Sequence, residues 1–140
     1  MDRHLMTRKE FIERIGVSAL VLPACLGVLS GCSKNDPIPA PTNVDFTLDV
    51  SAGALSKNGG YLVNKGVVVA RTASGSFLAV SAACTHQGAT VQYISSQNDF
   101  YCPSHGATFN ASGSVTRGPA GKSLAQYNTA LTGTSLRVFS

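Results

Sequence analysis

The chain has 140 residues, of which 44% are hydrophobic and 13% are charged, with a formal net charge of +4 at pH 7. This length and apolar content fit one small globular domain and exclude a wholly disordered chain. The basic residues are few and scattered, which argues against nucleic acid as a partner.

Residues 1–31 have the composition of a secretory signal peptide. Four basic residues precede an apolar run from Ile15 to Leu29: Arg3, Arg8, Lys9 and Arg14. The apolar run is shorter than the roughly 20 residues of a membrane-spanning helix. A basic start, an apolar middle and a small-residue end predict export and cleavage of residues 1–31.

The end of this leader, Leu29-Ser30-Gly31-Cys32, resembles a bacterial lipobox. The resemblance implies that Cys32 is acylated and anchors an exported protein on the periplasmic side of a bacterial membrane. The alternative is an uncleaved N-terminal transmembrane anchor. Thr7–Ile12 also resembles a twin-arginine export signal, with Lys9 in place of the second arginine.

Residues 32–43 follow as the anchor and a proline-rich spacer. Pro37, Pro39 and Pro41 stand at alternate positions, which is typical of an extended linker. The ten residues from Ser33 to Thr42 can span at most about 30 Å.

From residue 44 to residue 140 the pattern is that of an all-β domain. Val44, Phe46, Leu48 and Val50 alternate with other residues, and Val67–Ala70 is an apolar run. Further predicted strands are 77–80, 100–101, 108–109, 124–131 and 135–139. Short strands separated by turns predict an antiparallel sandwich or small barrel.

Four residues carry the chemistry: Cys84, His86, Cys102 and His105. They form C-x-H, then fifteen residues, then C-x-x-H, and two of the three histidines of the chain are among them. Two thiolates and two imidazoles can hold either a zinc ion or an iron–sulfur cluster. Each segment supplies one Cys and one His, and this mixed pairing favours a two-iron cluster with two sulfur and two nitrogen ligands.

The segments Cys84–Ala89 and Cys102–Phe109 resemble the two cluster-binding loops of the Rieske family. The resemblance covers residues 44–140, and Gly118-Pro119-Ala120 resembles the proline loop that covers the cluster. It implies a 2Fe–2S cofactor held by a small subdomain of two loops. Cys84 and Cys102 would bind the inner iron, and His86 and His105 the outer one.

The resemblance also assigns the residues around the cluster. This set consists of Gln87, Gly88, Ser104, Gly106, Ala107, Phe109, Gly118 and Pro119. Gly88 and Gly106 fit positions that need a positive φ angle or close backbone approach. Ala107 and Phe109 stand where high-potential members have hydroxyl donors to sulfur, which implies a low reduction potential. Gln87 replaces the apolar loop-tip residue of quinol-oxidising members, and a disulfide between positions 89 and 104 is absent.

The function implied is one-electron transfer to or from a redox partner protein, with no small-molecule substrate of its own. One alternative is the Rieske subunit of a quinol–cytochrome oxidoreductase or of another exported oxidoreductase complex. An alternative of another class is a structural lipoprotein stabilised by zinc. The chain is therefore either an electron-transfer protein or a non-catalytic subunit of an oxidoreductase.

Overall fold

A computed structural model describes residues 38–140, which form ten β-strands and one short 3-10 helix, Ala54–Ser56. The strands are β1 (Asp45–Asp49), β2 (Tyr61–Asn64), β3 (Val67–Arg71), β4 (Phe77–Ser81), β5 (Gln92–Ile94), β6 (Asp99–Tyr101), β7 (Thr108–Phe109), β8 (Val115–Arg117), β9 (Asn128–Thr132) and β10 (Ser135–Phe139). Residues 38–140 contain no helix with the length and apolar character of a membrane span. The predicted all-β class is confirmed.

The strands form three antiparallel sheets. The first has the order β1-β10-β9, the second β2-β3-β4 and the third β5-β6-β7-β8. We call them the base sheet, the middle sheet and the loop-bearing sheet. The base sheet joins the two ends of the described chain, because β1 pairs with β10 along its whole length.

The apolar run at β3 reflects its position between two cores. Val67, Val68, Val69 and Ala70 are all fully buried. Successive side chains of a strand point to opposite faces, and the members of this run alternate accordingly between two hydrophobic clusters. The middle sheet is therefore buried on both faces at β3, which explains why the sequence there does not alternate with polar residues.

Each core has its own set of residues. The first core, on the loop-bearing side, contains Val68, Ala70, Val80, Ala82, Cys84, Val91, Tyr93, Phe100, Cys102, Ala107, Phe109, Ala120 and Leu124. The second core, against the base sheet, contains Val44, Phe46, Val50, Leu55, Val67, Val69, Ala79, Tyr127, Leu136 and Val138. Cys84 and Cys102, the two cysteines among the predicted ligands, thus both belong to the first core.

The strand predicted at 124–131 begins later than expected. β9 starts at Asn128, whereas Leu124 donates its N–H to the carbonyl of Gly113 and Tyr127 to that of Ala79. These hydrogen bonds join residues 124–127 to a turn and to the middle sheet. The apolar pattern there therefore marks buried side chains and not a continuous strand.

Residues 38–43, which the sequence assigned to a spacer, lie against the domain. The hydroxyl of Tyr127 donates to the carbonyl of Pro41 at 2.7 Å. The Pro41 ring covers Gly66, where an added Cβ would lie 2.9 Å from its Cγ. Ile38 lies over Gly88 in the same way, with its Cδ1 2.6 Å from an added Cβ. We call residues 38–41 the N-terminal strap. The predicted leader, residues 1–31, and Cys32 lie outside the described residues.

Candidate metal centre

Two loops with the same backbone hydrogen bonds carry the four predicted ligands, and we call residues 84–89 the first metal loop and residues 102–107 the second metal loop. In the first loop the N–H of Cys84 donates to the carbonyl of Ala89 at 2.8 Å, and that of Gly88 to the carbonyl of Cys84 at 2.7 Å. The second loop repeats both bonds, from Cys102 to Ala107 at 2.8 Å and from Gly106 to Cys102 at 3.0 Å. Each loop thus brings its ends together around one cysteine.

The glycines make this turn possible. Gly88 has φ 76° and Gly106 has φ 77°, in the left-handed region that glycine enters without steric cost. The positive φ expected at both positions is therefore present.

The two cysteines lie side by side inside the first core. Cys84 is fully buried and Cys102 is 1% exposed, and neither forms a disulfide. Burial raises the pKa of the Cys84 thiol, and the adjacent Cys102 thiol raises it further. The N–H groups of His86 and Gln87 point at the Cys84 sulfur and oppose this shift. A buried pair of thiolates needs a compensating cation, and ferric iron supplies one.

The two histidines form the outer part of the site. The His86 and His105 rings are 4.8 Å apart between centroids and nearly perpendicular, at 89°. His105 is exposed and His86 is half-buried. The Nδ1 atom of His86 is buried and has no hydrogen-bond partner within the described residues. A buried polar atom without a partner is unfavourable, and coordination of a metal would satisfy it.

The donors therefore come as one sulfur pair and one nitrogen pair. No group of three or more His, Cys, Asp or Glu surrounds a single ion position in residues 38–140. This arrangement fits a two-iron cluster, in which each iron takes two protein ligands.

The proline loop and the residues that follow it lie beside the first metal loop. Gly118 and Pro119 are exposed and joined by a cis peptide bond, while Ala120 is buried in the first core with both cysteines. The hydroxyl of Thr85 donates to the carbonyl of Lys122 at 2.6 Å. Thr85 thus links the first metal loop to the segment after the proline loop, a role that the sequence did not indicate.

The remaining predicted residues divide by burial. Gln87 and Ser104 are exposed at the loop tips. Ala107 and Phe109 are fully buried in the first core with the cysteines. Ile38 was missed altogether, because its contact with Gly88 joins segments far apart in the chain and has no local signal.

Comparison with known proteins agrees with this geometry. The family model described as Rieske [2Fe-2S] domain matches residues 41–128. The cytochrome b6-f complex iron-sulfur subunit of Chlorobaculum thiosulfatiphilum is 36% identical over 73 residues, which cover 52% of this chain and 40% of that protein. The cytochrome b6-f complex iron-sulfur subunit 2 of Synechocystis sp. is 52% identical over 46 residues, which cover 33% of this chain and 26% of that protein. The chain therefore spans less than half the length of these curated relatives.

Solved structures give the same fold. The cyanobacterial plasma membrane Rieske protein PetC3 from Synechocystis PCC 6803 is similar with a TM-score of 0.56 and 32% identity. The match covers 68% of this chain and 99% of that one. The ferredoxin of carbazole 1,9a-dioxygenase from Nocardioides aromaticivorans IC177 shares the fold, with a TM-score of 0.54, 24% identity, and coverage of 66% and 96%.

The cofactor of this domain is therefore a Rieske-type 2Fe–2S cluster, and the zinc alternative finds no support. Such a cluster exchanges one electron, so one-electron transfer is the chemistry of the domain. Paired thiols, paired imidazoles, the sheet order and the match over residues 41–128 lead to one conclusion: this chain belongs to the Rieske [2Fe-2S] domain family.

Proposed function

We propose that this chain is a membrane-tethered, exported electron carrier that exchanges single electrons with a separate redox protein. The observation that supports this proposal best is the buried Nδ1 atom of His86, which has no hydrogen-bond partner within residues 38–140 and lies beside the His105 ring, in loops whose two thiols are buried. The sulfur donors are buried and the His105 ring is exposed, so a partner protein can approach the nitrogen-bearing end of the site and exchange an electron there.

We assign the inner iron to Cys84 and Cys102 and the outer iron to His86 and His105. When bound, the cluster supplies a one-electron couple whose potential depends on hydrogen bonds, burial and charge. The first core keeps water from the sulfur ligands, since both cysteines are buried. The N–H groups of His86 and Gln87 stabilise negative charge on the Cys84 sulfur. The exposed His105 ring gives a partner access to the outer edge of the site.

We assign the membrane tether to Cys32, acylated after removal of residues 1–31, with export on the periplasmic side of a bacterial membrane. The Leu-Ser-Gly-Cys sequence supports this assignment. An N-terminal transmembrane anchor is the alternative. Mass spectrometry of the purified N-terminal peptide distinguishes them: acylated Cys32 is expected, and an intact leader would contradict the assignment.

A second candidate function is that of the Rieske subunit in a quinol–cytochrome complex. The curated relatives are named as subunits of the cytochrome b6-f complex, which favours it. The exposed Gln87 at the loop tip weighs against it, because a polar amide fits poorly into an apolar quinol pocket. Purification of the full chain from mild detergent separates the two candidates: a carrier elutes alone, and a subunit elutes with a large partner.

Redox titration with electron paramagnetic resonance tests the central proposal. The full chain is expected to hold two irons, to take up one electron, and to show two coordinated nitrogens. Cys84→Ala, Cys102→Ala, His86→Ala and His105→Ala should each abolish this signal. Thr132→Ala is the control, because Thr132 is exposed at the end of β9 in the base sheet and lies outside the residues assigned to the cluster. A colourless wild-type protein with one bound zinc would contradict the proposal.

A further inference from the structure

In the described part of the chain, the segments that carry and flank the two histidines contain basic residues but no acidic ones. Among the described residues the acids are Asp45, Asp49 and Asp99. Asp45 and Asp49 lie in β1 of the base sheet, and Asp45 pairs with Arg137. Asp99 begins β6, whereas the second metal loop follows the other end of that strand. None of these carboxylates lies in the metal loops or the proline loop.

Two exposed cations flank the site instead. Lys122 is exposed, and its carbonyl accepts the hydrogen bond from Thr85, so its backbone adjoins the first metal loop. Arg117 is also exposed and pairs across the sheet with Thr108, directly after the second metal loop. The backbone of one basic residue thus adjoins each loop that carries a histidine.

An exposed apolar side chain lies over the first metal loop. Ile38 is 59% exposed although it lies over Gly88, next to the loop tip at Gln87. It stands outside residues 41–128, which the family model matches. An apolar contact bordered by charged groups is the usual composition of a protein-binding surface.

We propose that Ile38, Arg117 and Lys122, together with the exposed edge of His105, form the docking surface for an electron-transfer protein whose own redox centre is surrounded by Asp and Glu. This inference rests on the proposed carrier function and adds the chemistry of its partner. Opposite charges steer the encounter and orient the two proteins. Ile38 then supplies the apolar contact that lengthens the lifetime of the complex.

Reaction with two cytochromes of opposite charge tests the proposal. The reduced full chain in neutral detergent is mixed with oxidised cytochrome b5, which is acidic, or with cytochrome c, which is basic. One electron passes from the carrier to the haem iron, and no bond is formed or broken. The rate with cytochrome b5 should fall as salt rises, whereas the rate with cytochrome c should not. Calorimetry with both proteins oxidised measures binding separately from electron transfer.

Single substitutions assign the effect to residues. Lys122→Gln and Arg117→Gln should each lower the rate with cytochrome b5 by about threefold at low ionic strength. Ile38→Ser should weaken binding to cytochrome b5 and leave the salt dependence unchanged. Lys57→Gln is the matched control. The turn of the β2–β3 hairpin at residues 65–66 adjoins the strand that leads into the first metal loop, because the N–H of Ala82 donates to the carbonyl of Gly66. Lys57 is exposed and precedes β2, at the opposite end of this hairpin. The midpoint potential of every variant is measured, so that a change in driving force is not taken for a change in docking.

The failures are distinguishable. If the wild-type chain shows no reversible one-electron couple, the proposed function itself is wrong. If the couple is present but rates and binding are the same for Lys122→Gln, Arg117→Gln and Lys57→Gln, only the docking surface is refuted. An anionic membrane is the competing occupant. If phosphatidylglycerol liposomes block the reaction of the full chain with cytochrome b5 and Lys122→Gln restores it, the surface faces lipid and the proposal is overturned.

Discussion

Replacement of Gly88 and Gly106 by alanine separates two effects that the structure assigns to them. Both glycines have the same φ angle within 1°, 76° and 77°. A Cβ at Gly106 would have no heavy atom within 4 Å, whereas at Gly88 it would meet Cδ1 and Cγ1 of Ile38 at 2.6 and 2.9 Å. Gly106→Ala therefore measures the cost of the backbone conformation alone, and Gly88→Ala adds displacement of the N-terminal strap.

The magnitudes follow from these contacts. A residue with a Cβ in the left-handed region costs about 1–2 kcal/mol, which is the expected destabilisation by Gly106→Ala. Ile38 is 59% exposed, so less than half of its burial energy is at stake. Full burial of an isoleucine is worth about 1.5–3 kcal/mol, and loss of its contact should cost about 1 kcal/mol more. Gly88→Ala is therefore expected to cost about 2–3 kcal/mol.

Urea unfolding of the anaerobic holoprotein, with the m-value checked for each variant, provides the measurement. One kcal/mol corresponds to a midpoint shift of roughly 0.5 M urea. Adding Ile38→Ala to Gly88→Ala removes Cγ1 and Cδ1, so little further loss is expected on top of the single variant. Adding Ile38→Ala to the Gly106→Ala variant should lower the free energy of unfolding by the full value of the Ile38 contact, about 1 kcal/mol. Equal effects of the two glycine substitutions, with no coupling to Ile38, would refute the contact between strap and loop.

Three further predictions concern the core, the acid limb of stability and the potential. Phe100→Ala removes a fully buried ring from the first core and should cost about 3–5 kcal/mol; a urea midpoint close to that of the wild type would contradict this packing. The hydrogen bond from Arg137 holds the pKa of Asp45 in the folded protein below its ordinary 3.8. The small stabilisation by this exposed pair is therefore present above the pKa of Asp45 in the unfolded chain. It is lost as the pH falls through the lower pKa of the folded protein. Unfolding midpoints of wild type and Asp45→Asn should therefore converge below pH 3.8, and a constant difference would show that Asp45 acts through something other than its charge. Ala107→Ser with Phe109→Tyr adds hydroxyl donors and should raise the midpoint potential by on the order of 100 mV, whereas an unchanged potential would show that neither hydroxyl reaches sulfur.

The sequence predicted the strands whose pattern is local. Phe46 and Leu48 alternate with polar residues in β1, and the apolar Val67–Ala70 run corresponds to β3. The position of β3 between two cores could not be predicted, since a short apolar run does not reveal what packs on each face. The later start of β9, at Asn128, has the same origin: hydrogen bonds to Gly113 and Ala79 replace the expected strand pairing.

The site was predictable because its residues are rare and closely spaced. Two cysteines and two histidines in mixed pairs indicated the cofactor, and the family match confirms that cofactor. The bond from Thr85 to Lys122 and the contact of Ile38 with Gly88 could not be predicted. Both join residues far apart in sequence, and neither pair has a composition that distinguishes it from ordinary loop residues.

The docked strap limits how far the redox site can travel from a lipid anchor. Were residues 33–42 a free linker, the domain could move about 30 Å from Cys32. Because Ile38 is already in contact with the first metal loop, only residues 33–37 remain between that loop and the proposed anchor. Six Cα–Cα steps cover at most about 21 Å, which is less than the diameter of a small cytochrome. Electron exchange would then take place within about 21 Å of the lipid anchor. A soluble carrier would have to come into contact with the membrane surface to reach the site.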